Sequence, residues 1–358
     1  MQREYRICVR CVMDTTDPKI TFDQNGLCTH CRRYDLHMKK IHASNQFTPQ
    51  ALEQVIETIK IHQKDKKYDC ITGVSGGIDS SYIAYLAHKF QLRTLCVHLD
   101  NGWNSELAVK NIERMIRKLH FDLYTYVLDW EEFRDLQLSV FRASVVDIEM
   151  ITDHAISSIL YQIAHEKDIK YILRGVNYET EYVMPFSWNY YKHDVLNILH
   201  IHSLFGSIPI KKFPFMDQFR SWQYKELYGI TTVSPLYYIP YNVKEAIATL
   251  EKEVQWKYYG QKHSESTFTK FYQGYILPKK FNIDKRRAHL SSLILSNQIT
   301  REEALQELTK PVYTPAQLQE EKNYVIKKWG LTPQEFEEIM NAPVKDHTQY
   351  LAGFPPRK

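Results

Sequence analysis

The sequence has no apolar run near the roughly 20 residues that a bilayer-spanning helix requires, so a membrane-spanning protein is not expected. It has little net charge: the balance is +4 in 358 residues, without the dense basic stripe of a duplex binder, and nucleic acid is not the expected partner. The opening Met1-Gln2-Arg3-Glu4-Tyr5-Arg6 lacks the apolar core of a signal peptide, and a cytoplasmic location is expected. There is no internal repeat and no low-complexity tract. With 44% hydrophobic residues the chain is globular, and its length suggests roughly two or three domains. Cysteine is sparse as well, but four of the six cysteines fall into two CxxC pairs. In a reducing compartment that arrangement favours a metal over disulfides.

Cys8-Val-Arg-Cys11 and Cys28-Thr-His-Cys31 are separated by sixteen residues. Each pair presents two thiolates, and two such knuckles close a tetrahedral four-sulfur shell around Zn²⁺. A closed shell has no open position for water, so a structural role is expected. His30 is then surplus and expected to be exposed. Cys70 and Cys96 lie in apolar runs and are expected in the core.

After the cysteine region, expected at 1–45, the pattern alternates. A helix from Thr48 to Lys60 precedes the apolar run 68–74, and a helix from Ser80 to Phe90 precedes a strand over 94–99. A helix over 105–119 leads to the strand 123–127, and a helix near 152–166 leads to Tyr171-Ile-Leu173. This is the signature of a doubly wound parallel α/β sheet, with ligands at the carboxyl ends of its strands. From Tyr178 to about Tyr241 the alternation gives way to a stretch rich in aromatics and proline. Beyond it the chain reads as helical and charged, with capping boxes opening at Thr300 and Thr332. The expected division is 1–45, 46–241 and 242–358.

Two familiar phosphate motifs are missing, GxxxxGK[ST] and GxGxxG. In their place, between the first strand and its helix, stands Ser75-Gly76-Gly77-Ile78-Asp79-Ser80-Ser81. Glycine lets backbone N–H groups approach an anion closely, the helix N-terminus adds unpaired N–H groups, and the hydroxyls of Ser75, Ser80 and Ser81 are further donors. The plain alternative is an ordinary Gly-Gly turn.

Ser-Gly-Gly-x-Asp-Ser in this context resembles the PP-loop of the ATP pyrophosphatases, the adenine nucleotide α-hydrolase-like fold. That group includes the NAD, GMP, asparagine and argininosuccinate synthetases and the tRNA thiolases. The resemblance implies that the loop grips the β,γ-pyrophosphate of ATP, normally with Mg²⁺, while an oxygen nucleophile attacks the α-phosphate. Asp79 would take part directly. It further implies that Asp100, ending the second strand, and Gly175 and Asn177, after the fourth, lie near the nucleotide. Asp100 is a candidate for Mg²⁺ or ribose, and an aspartate of an Asp-Asn-Gly turn is the equal alternative.

Longer motifs narrow the resemblance. The knuckle Cys8-Val-Arg-Cys-Val-Met-Asp-Thr-Thr16 with Gly26-Leu-Cys-Thr-His-Cys31 is similar to the N-acetyl sugar amidotransferases of surface-polysaccharide synthesis. So are Arg174-Gly-Val-Asn-Tyr-Glu-Thr-Glu181, Tyr259-Gly-Gln-Lys-His-Ser-Glu-Ser266 and Asp284-Lys-Arg-Arg-Ala-His-Leu-Ser291. One departure is Asn297-Gln298, where the family pattern has Gly-Gln.

The family converts an acetamido group on a nucleotide-activated sugar into acetamidino, through an O-adenylyl imidate that ammonia attacks. ATP, Mg²⁺ and Zn²⁺ are the implied cofactors. No glutaminase nucleophile is evident, so ammonia is expected from a separate glutaminase resembling the HisH/HisF pair. Candidate residues follow. Lys285, Arg286 and Arg287 would neutralise pyrophosphate or the sugar-nucleotide diphosphate, or form a solvated helix face. His263 and Glu265 would bind sugar hydroxyls or position ammonia, or form a surface pair. Glu179 and Glu181 would hold Mg²⁺ or ammonium, or act as caps. Trp188, Tyr190, Tyr191 and Trp222 would stack on sugar or uracil, or pack as a lid. Two other readings share parts of these features: a tRNA-modifying enzyme of the thiolase or lysidine-synthetase type, and a non-catalytic zinc-ribbon scaffold. A thiolase needs a catalytic cysteine downstream, and none follows Cys96.

Overall fold

The computed structural model describes residues 4–44, 46–260 and 265–354. They fall into two compact units that interleave along the chain. One comprises the residues up to Thr48, Asn177–Tyr190 and Phe271–Val344; the other comprises Pro49–Val176, Tyr191–Lys270 and the residues from Lys345 onward.

The second unit is built on a parallel sheet. Its strands are β1 (Cys70–Gly73), β2 (Thr94–Asp100), β3 (Asp122–Val127), β4 (Tyr171–Leu173) and β5 (Thr231–Val233), in the order β3-β2-β1-β4-β5. Every neighbouring pair is parallel, with Ile71 opposite both Leu95 and Ile172. Strands covered on both faces must be apolar throughout. Ile71 and Ile172 are accordingly buried, a contribution of about 2 kcal/mol each. Asp69 and Arg93 pin the starts of β1 and β2, with Arg93 Nη2 2.6 Å from Asp69 Oδ1. Helices Pro49–His62, Ile78–Lys89, Glu106–Leu119 and Val243–Val254 supply one apolar layer, and Met150–Glu166 with Met216, Tyr224 and Ile230 supplies the other.

Chain order reverses between β1 and β4, so the loops after these two strands open a crevice at their carboxyl ends. The expected elements stand within a few residues of their predicted bounds. Additions include the helices Trp130–Arg142 and Val195–Phe205 and the strand β5, which is only three residues long and, like the second of these helices, lies in the aromatic stretch.

The first unit carries the cysteine knuckles, the helix Thr29–Ser44 and the C-terminal helices Arg286–Leu295, Arg301–Thr309, Pro315–Trp329 and Pro333–Asn341. Thr300 and Thr332 open their helices with complete capping boxes, and Thr314 with Gln317 makes a third. Asn297 has φ +57°, a left-handed conformation that glycine adopts freely and asparagine tolerates. That accounts for asparagine standing where the resembled family has glycine.

Candidate active site and metal centre

The loop between β1 and the helix Ile78–Lys89 is closed by its own hydroxyls. Ser75 Oγ accepts from the Gly77 amide at 3.2 Å and lies 3.1 Å from Ser80 Oγ. Ser80 Oγ accepts from the Ser75 amide and donates to the Gly77 carbonyl, both at 3.2 Å. Gly76 has φ +79°, and a Cβ there would stand 2.5 Å from the Ala108 carbonyl oxygen, so conformation and space both demand glycine. Ser81, expected as a third hydroxyl donor, is fully buried, and its Oγ has no hydrogen-bond partner among the described residues. It is therefore not on the open face of the loop.

Three aromatic side chains brace this loop. Tyr241 donates to Asp79 Oδ1. The buried Trp256 donates from Nε1 to the Gly76 carbonyl at 2.9 Å. The Ile78 amide donates to the Tyr259 hydroxyl at 3.2 Å. Burial, and then the Glu265 carboxylate, push the Tyr259 hydroxyl well above the usual phenol range. Glu265 lies against the loop: its Oε1 is 3.0 Å from where a Cβ on Gly77 would be. The sequence offers this residue as a ligand of sugar or ammonia or as half of a surface pair, and the structure places it beside the phosphate loop. None of the three aromatics carried an expected role, although Tyr259 opens one of the longer motifs.

The loop after β4 meets the same place. A Cβ on Gly175 would fall 3.2 Å from Asp79 Cβ. Asp100 makes the contacts of a turn aspartate: Oδ1 accepts from the Gly102 amide at 2.9 Å and from Asn104 Nδ2 at 3.1 Å. His98 holds the adjoining strand ends, with Nδ1 donating to the Val74 carbonyl at 3.0 Å and Nε2 beside Asn104 Nδ2 at 3.2 Å.

The remaining candidates make contacts of their own. Asn177 Oδ1 accepts from the Thr180 amide at 2.8 Å and caps the turn holding Glu179 and Glu181, both half-buried. In the first unit Arg286 pairs with Asp284 at 2.7 Å and donates to the Lys310 carbonyl at 2.7 Å. Arg287 pairs with the buried Asp14 at 3.0 Å. These guanidinium groups tie the first unit together instead of forming a solvated face. Lys285 Nζ sits 5.7 Å above the Tyr272 ring. His263 lies outside the described residues. Of the aromatic candidates, Trp188 and Tyr190 are buried, Tyr191 stacks on Phe354 at 4.6 Å and Trp222 is exposed.

The four knuckle cysteines are buried as free thiols, with all sulfurs within 4.8 Å of one another. Amides of Arg10, Met13 and Cys28 point at the sulfurs of Cys8 or Cys11 over 3.3–3.5 Å, stabilising thiolate charge. Four buried sulfurs in mutual contact, with N–H donors and no disulfide, fit a tetrahedral metal. Arg301 clamps the first knuckle from outside, donating to the Cys8 carbonyl at 3.0 Å and the Cys11 carbonyl at 3.2 Å. His30, expected to be exposed, is buried, because its Nε2 meets Asp17 Oδ2 at 2.8 Å. Against the upward push of burial, His30 and the Lys19 amide hold the Asp17 carboxyl below its usual range.

Residues 53–176 match the asparagine synthase family, and residues 265–353 match the family described as LPS biosynthesis protein WbpG-like, C-terminal domain. A curated relative, the uncharacterized protein MJ1599 of Methanocaldococcus jannaschii, is 28% identical over 127 residues. That alignment takes in 35% of this chain and 44% of the relative, so the chain spans less than half of the protein it matches. Among solved structures, NMN synthetase from Francisella tularensis is 14% identical at a TM-score of 0.33, covering 84% of this chain and 98% of that one. U34-tRNA thiolase NcsA from Methanococcus maripaludis, with its iron–sulfur cluster, is 14% identical at 0.33, covering 84% and 91%. NH3-dependent NAD synthetase from Campylobacter jejuni is 12% identical at 0.31, covering 79% and 97%.

The parallel sheet, the Ser-Gly-Gly-x-Asp-Ser loop at its switch point and the asparagine synthase match over residues 53–176 define a PP-loop domain. With the match to the WbpG-like C-terminal domain, the chain is similar to the N-acetyl sugar amidotransferase-like lipopolysaccharide-biosynthesis proteins of that superfamily. Among the described residues no helix is long and apolar enough to cross a membrane.

Proposed function

We propose that this protein converts the acetamido group of a nucleotide-activated sugar into acetamidino, for O-antigen or a related surface glycan, in the cytoplasm. The reading rests on one combination: a PP-loop, a four-cysteine centre and a WbpG-like C-terminal domain in a single chain. An amide carbonyl is a poor electrophile and its oxygen a poor leaving group. Attack by that oxygen on the α-phosphate of ATP forms an O-adenylyl imidate and releases pyrophosphate. Ammonia then adds to the imidate carbon, and AMP departs carrying the former amide oxygen. Loop amides and the hydroxyls of Ser75 and Ser80 would hold the departing pyrophosphate, and Asp79 would orient its Mg²⁺. Zn²⁺ at the four cysteines would be structural. A HisH/HisF-like glutaminase and channelling pair would deliver the ammonia.

The test is incubation with ATP, Mg²⁺, ammonium and candidate UDP- or CMP-linked acetamido sugars, read by mass spectrometry. Replacement of one oxygen by NH in the sugar, with AMP and pyrophosphate formed in step, is expected. Release of ADP and phosphate, or unchanged sugars across the panel, would refute the reading.

A further inference from the structure

The phosphate loop already holds an anion of its own. Negative charge is favoured at a helix N-terminus, and the Glu265 carboxylate rests there, with Oε1 3.0 Å from the Cβ position of Gly77. Two attachments fix it. The Glu265 carbonyl accepts from the Ser105 amide at 2.9 Å, and its carboxylate takes a hydrogen bond from Tyr259, whose oxygen accepts from the Ile78 amide. The chain Ile78 N–H to Tyr259 to Glu265 therefore runs from a loop amide to a carboxylate. The Gly77 amide is directed to Ser75 Oγ. A polyphosphate entering this loop alone meets a like charge in a half-buried site, where repulsion is much less screened than in water. A divalent cation between the two anions reverses the sign of that interaction.

We propose that Glu265 makes polyphosphate binding at this loop conditional on a divalent cation, excluding metal-free ATP and joining the pyrophosphate group as a ligand of the same Mg²⁺. The inference rests on the loop being the ATP site. Tyr259 is a positioning residue that keeps the carboxylate against Gly77. A purely structural Glu265 would brace the segment that joins Asn104 and Ser266 across an isolated bridge, and the metal dependence of binding would not change with its charge.

Calorimetric titration of the full-length protein with ATP, and separately with inorganic pyrophosphate, in Mg²⁺ or in EDTA tests this. The wild type should bind both ligands with Mg²⁺ and at least about tenfold more weakly without it. Glu265→Gln should bind metal-free ATP about tenfold more tightly than the wild type, so that its advantage from Mg²⁺ shrinks to a few-fold. Glu265→Asp retains the charge and should retain the metal dependence, which separates loss of charge from loss of fold. A Glu265→Gln protein with the wild-type ratio of affinities, while the wild type binds Mg²⁺-ATP, would overturn this inference alone. Failure of the wild type to bind either ligand with Mg²⁺ would overturn both it and the ATP reading.

Discussion

The indole N–H of Trp256 donates to the carbonyl of Gly76 across 2.9 Å, joining a buried aromatic 180 residues downstream to the first glycine of the phosphate loop. Trp256→Phe keeps most of the apolar volume and removes the donor. Leaving a buried acceptor unsatisfied costs about 1–3 kcal/mol. The expected result is a folded protein with a melting temperature lower by several degrees and ATP turnover reduced more than stability. Thermal melts and pyrophosphate-release assays measure the two effects separately. Wild-type turnover in this variant would show that the contact does not shape the loop.

Gly76 faces a steric limit on its other side. The left-handed conformation alone costs an alanine about 1 kcal/mol, and the Ala108 carbonyl leaves no room for its Cβ. Gly76→Ala should fold and lose nucleotide binding, because the loop must shift for the methyl group to fit. Gly229 also has positive φ but nothing within 4 Å of a Cβ, so Gly229→Ala should show only the conformational cost. Similar ATP affinity in the two variants would contradict the assignment.

The metal centre is expected to hold about one Zn²⁺ per chain. Cys28→Ser should lose it and melt at lower temperature. Arg301→Met removes the clamp on the Cys8 and Cys11 carbonyls and should weaken zinc retention under chelator while leaving all four ligands in place. Elemental analysis and chelator-challenge melts provide the readout. Full zinc and an unchanged melt in Cys28→Ser would exclude the site.

The sheet unit should be acid-sensitive through two buried histidines. Burial pushes both His154 and His347 down to about 4 from 6.5. His154 is held neutral on both sides: Nδ1 donates to the Lys192 carbonyl at 2.7 Å, and Nε2 accepts from the Met216 amide at 3.0 Å. His347 Nδ1 meets Asn197 Oδ1 at 2.8 Å. Below pH 6.5 the unfolded chain takes up protons that the folded one refuses. Their contribution is therefore complete above about pH 6.5 and is lost as pH falls toward 4, on the order of 1.4 kcal/mol per unit for each histidine. Denaturant melts over that range should show the decline, and His154→Gln should make it about half as steep, His347 carrying the rest. An equally steep decline in that variant would assign the acid sensitivity to other groups.

The order of strands and helices up to Leu173 was readable because each strand is a short apolar run and each helix has its period. The phosphate loop was readable because glycines and hydroxyls crowd between two such elements. β5 was not, since three residues, Thr231-Thr-Val233, carry no period and sit among aromatics whose packing is tertiary. The brace on the loop was not readable either: Tyr241, Trp256 and Tyr259 reach it across a sequence gap of more than 160 residues, and nothing local marks them as partners. Arg286 and Arg287 show the converse limit. A basic run suggests anion binding until the Asp284 and Asp14 carboxylates that meet it are seen.

The last prediction concerns the source of nitrogen. A glutaminase of the cysteine type needs an exposed thiol of lowered pKa. Four of the six cysteines here form the buried cluster that can hold a metal. Cys70 and Cys96 are fully buried in β1 and β2, and burial pushes Cys70 up to about 12 and Cys96 higher still. Neither can act as that nucleophile. The isolated protein should therefore form amidine with ammonium and give no product with glutamine as the only nitrogen donor. Adding a HisH/HisF-like pair should restore glutamine-dependent turnover. Thiol alkylation under native conditions should leave ammonium-dependent activity intact, provided zinc is retained. Product from glutamine with this chain alone would mean that a nucleophile other than these thiols releases the ammonia, and the separate-partner proposal would fall.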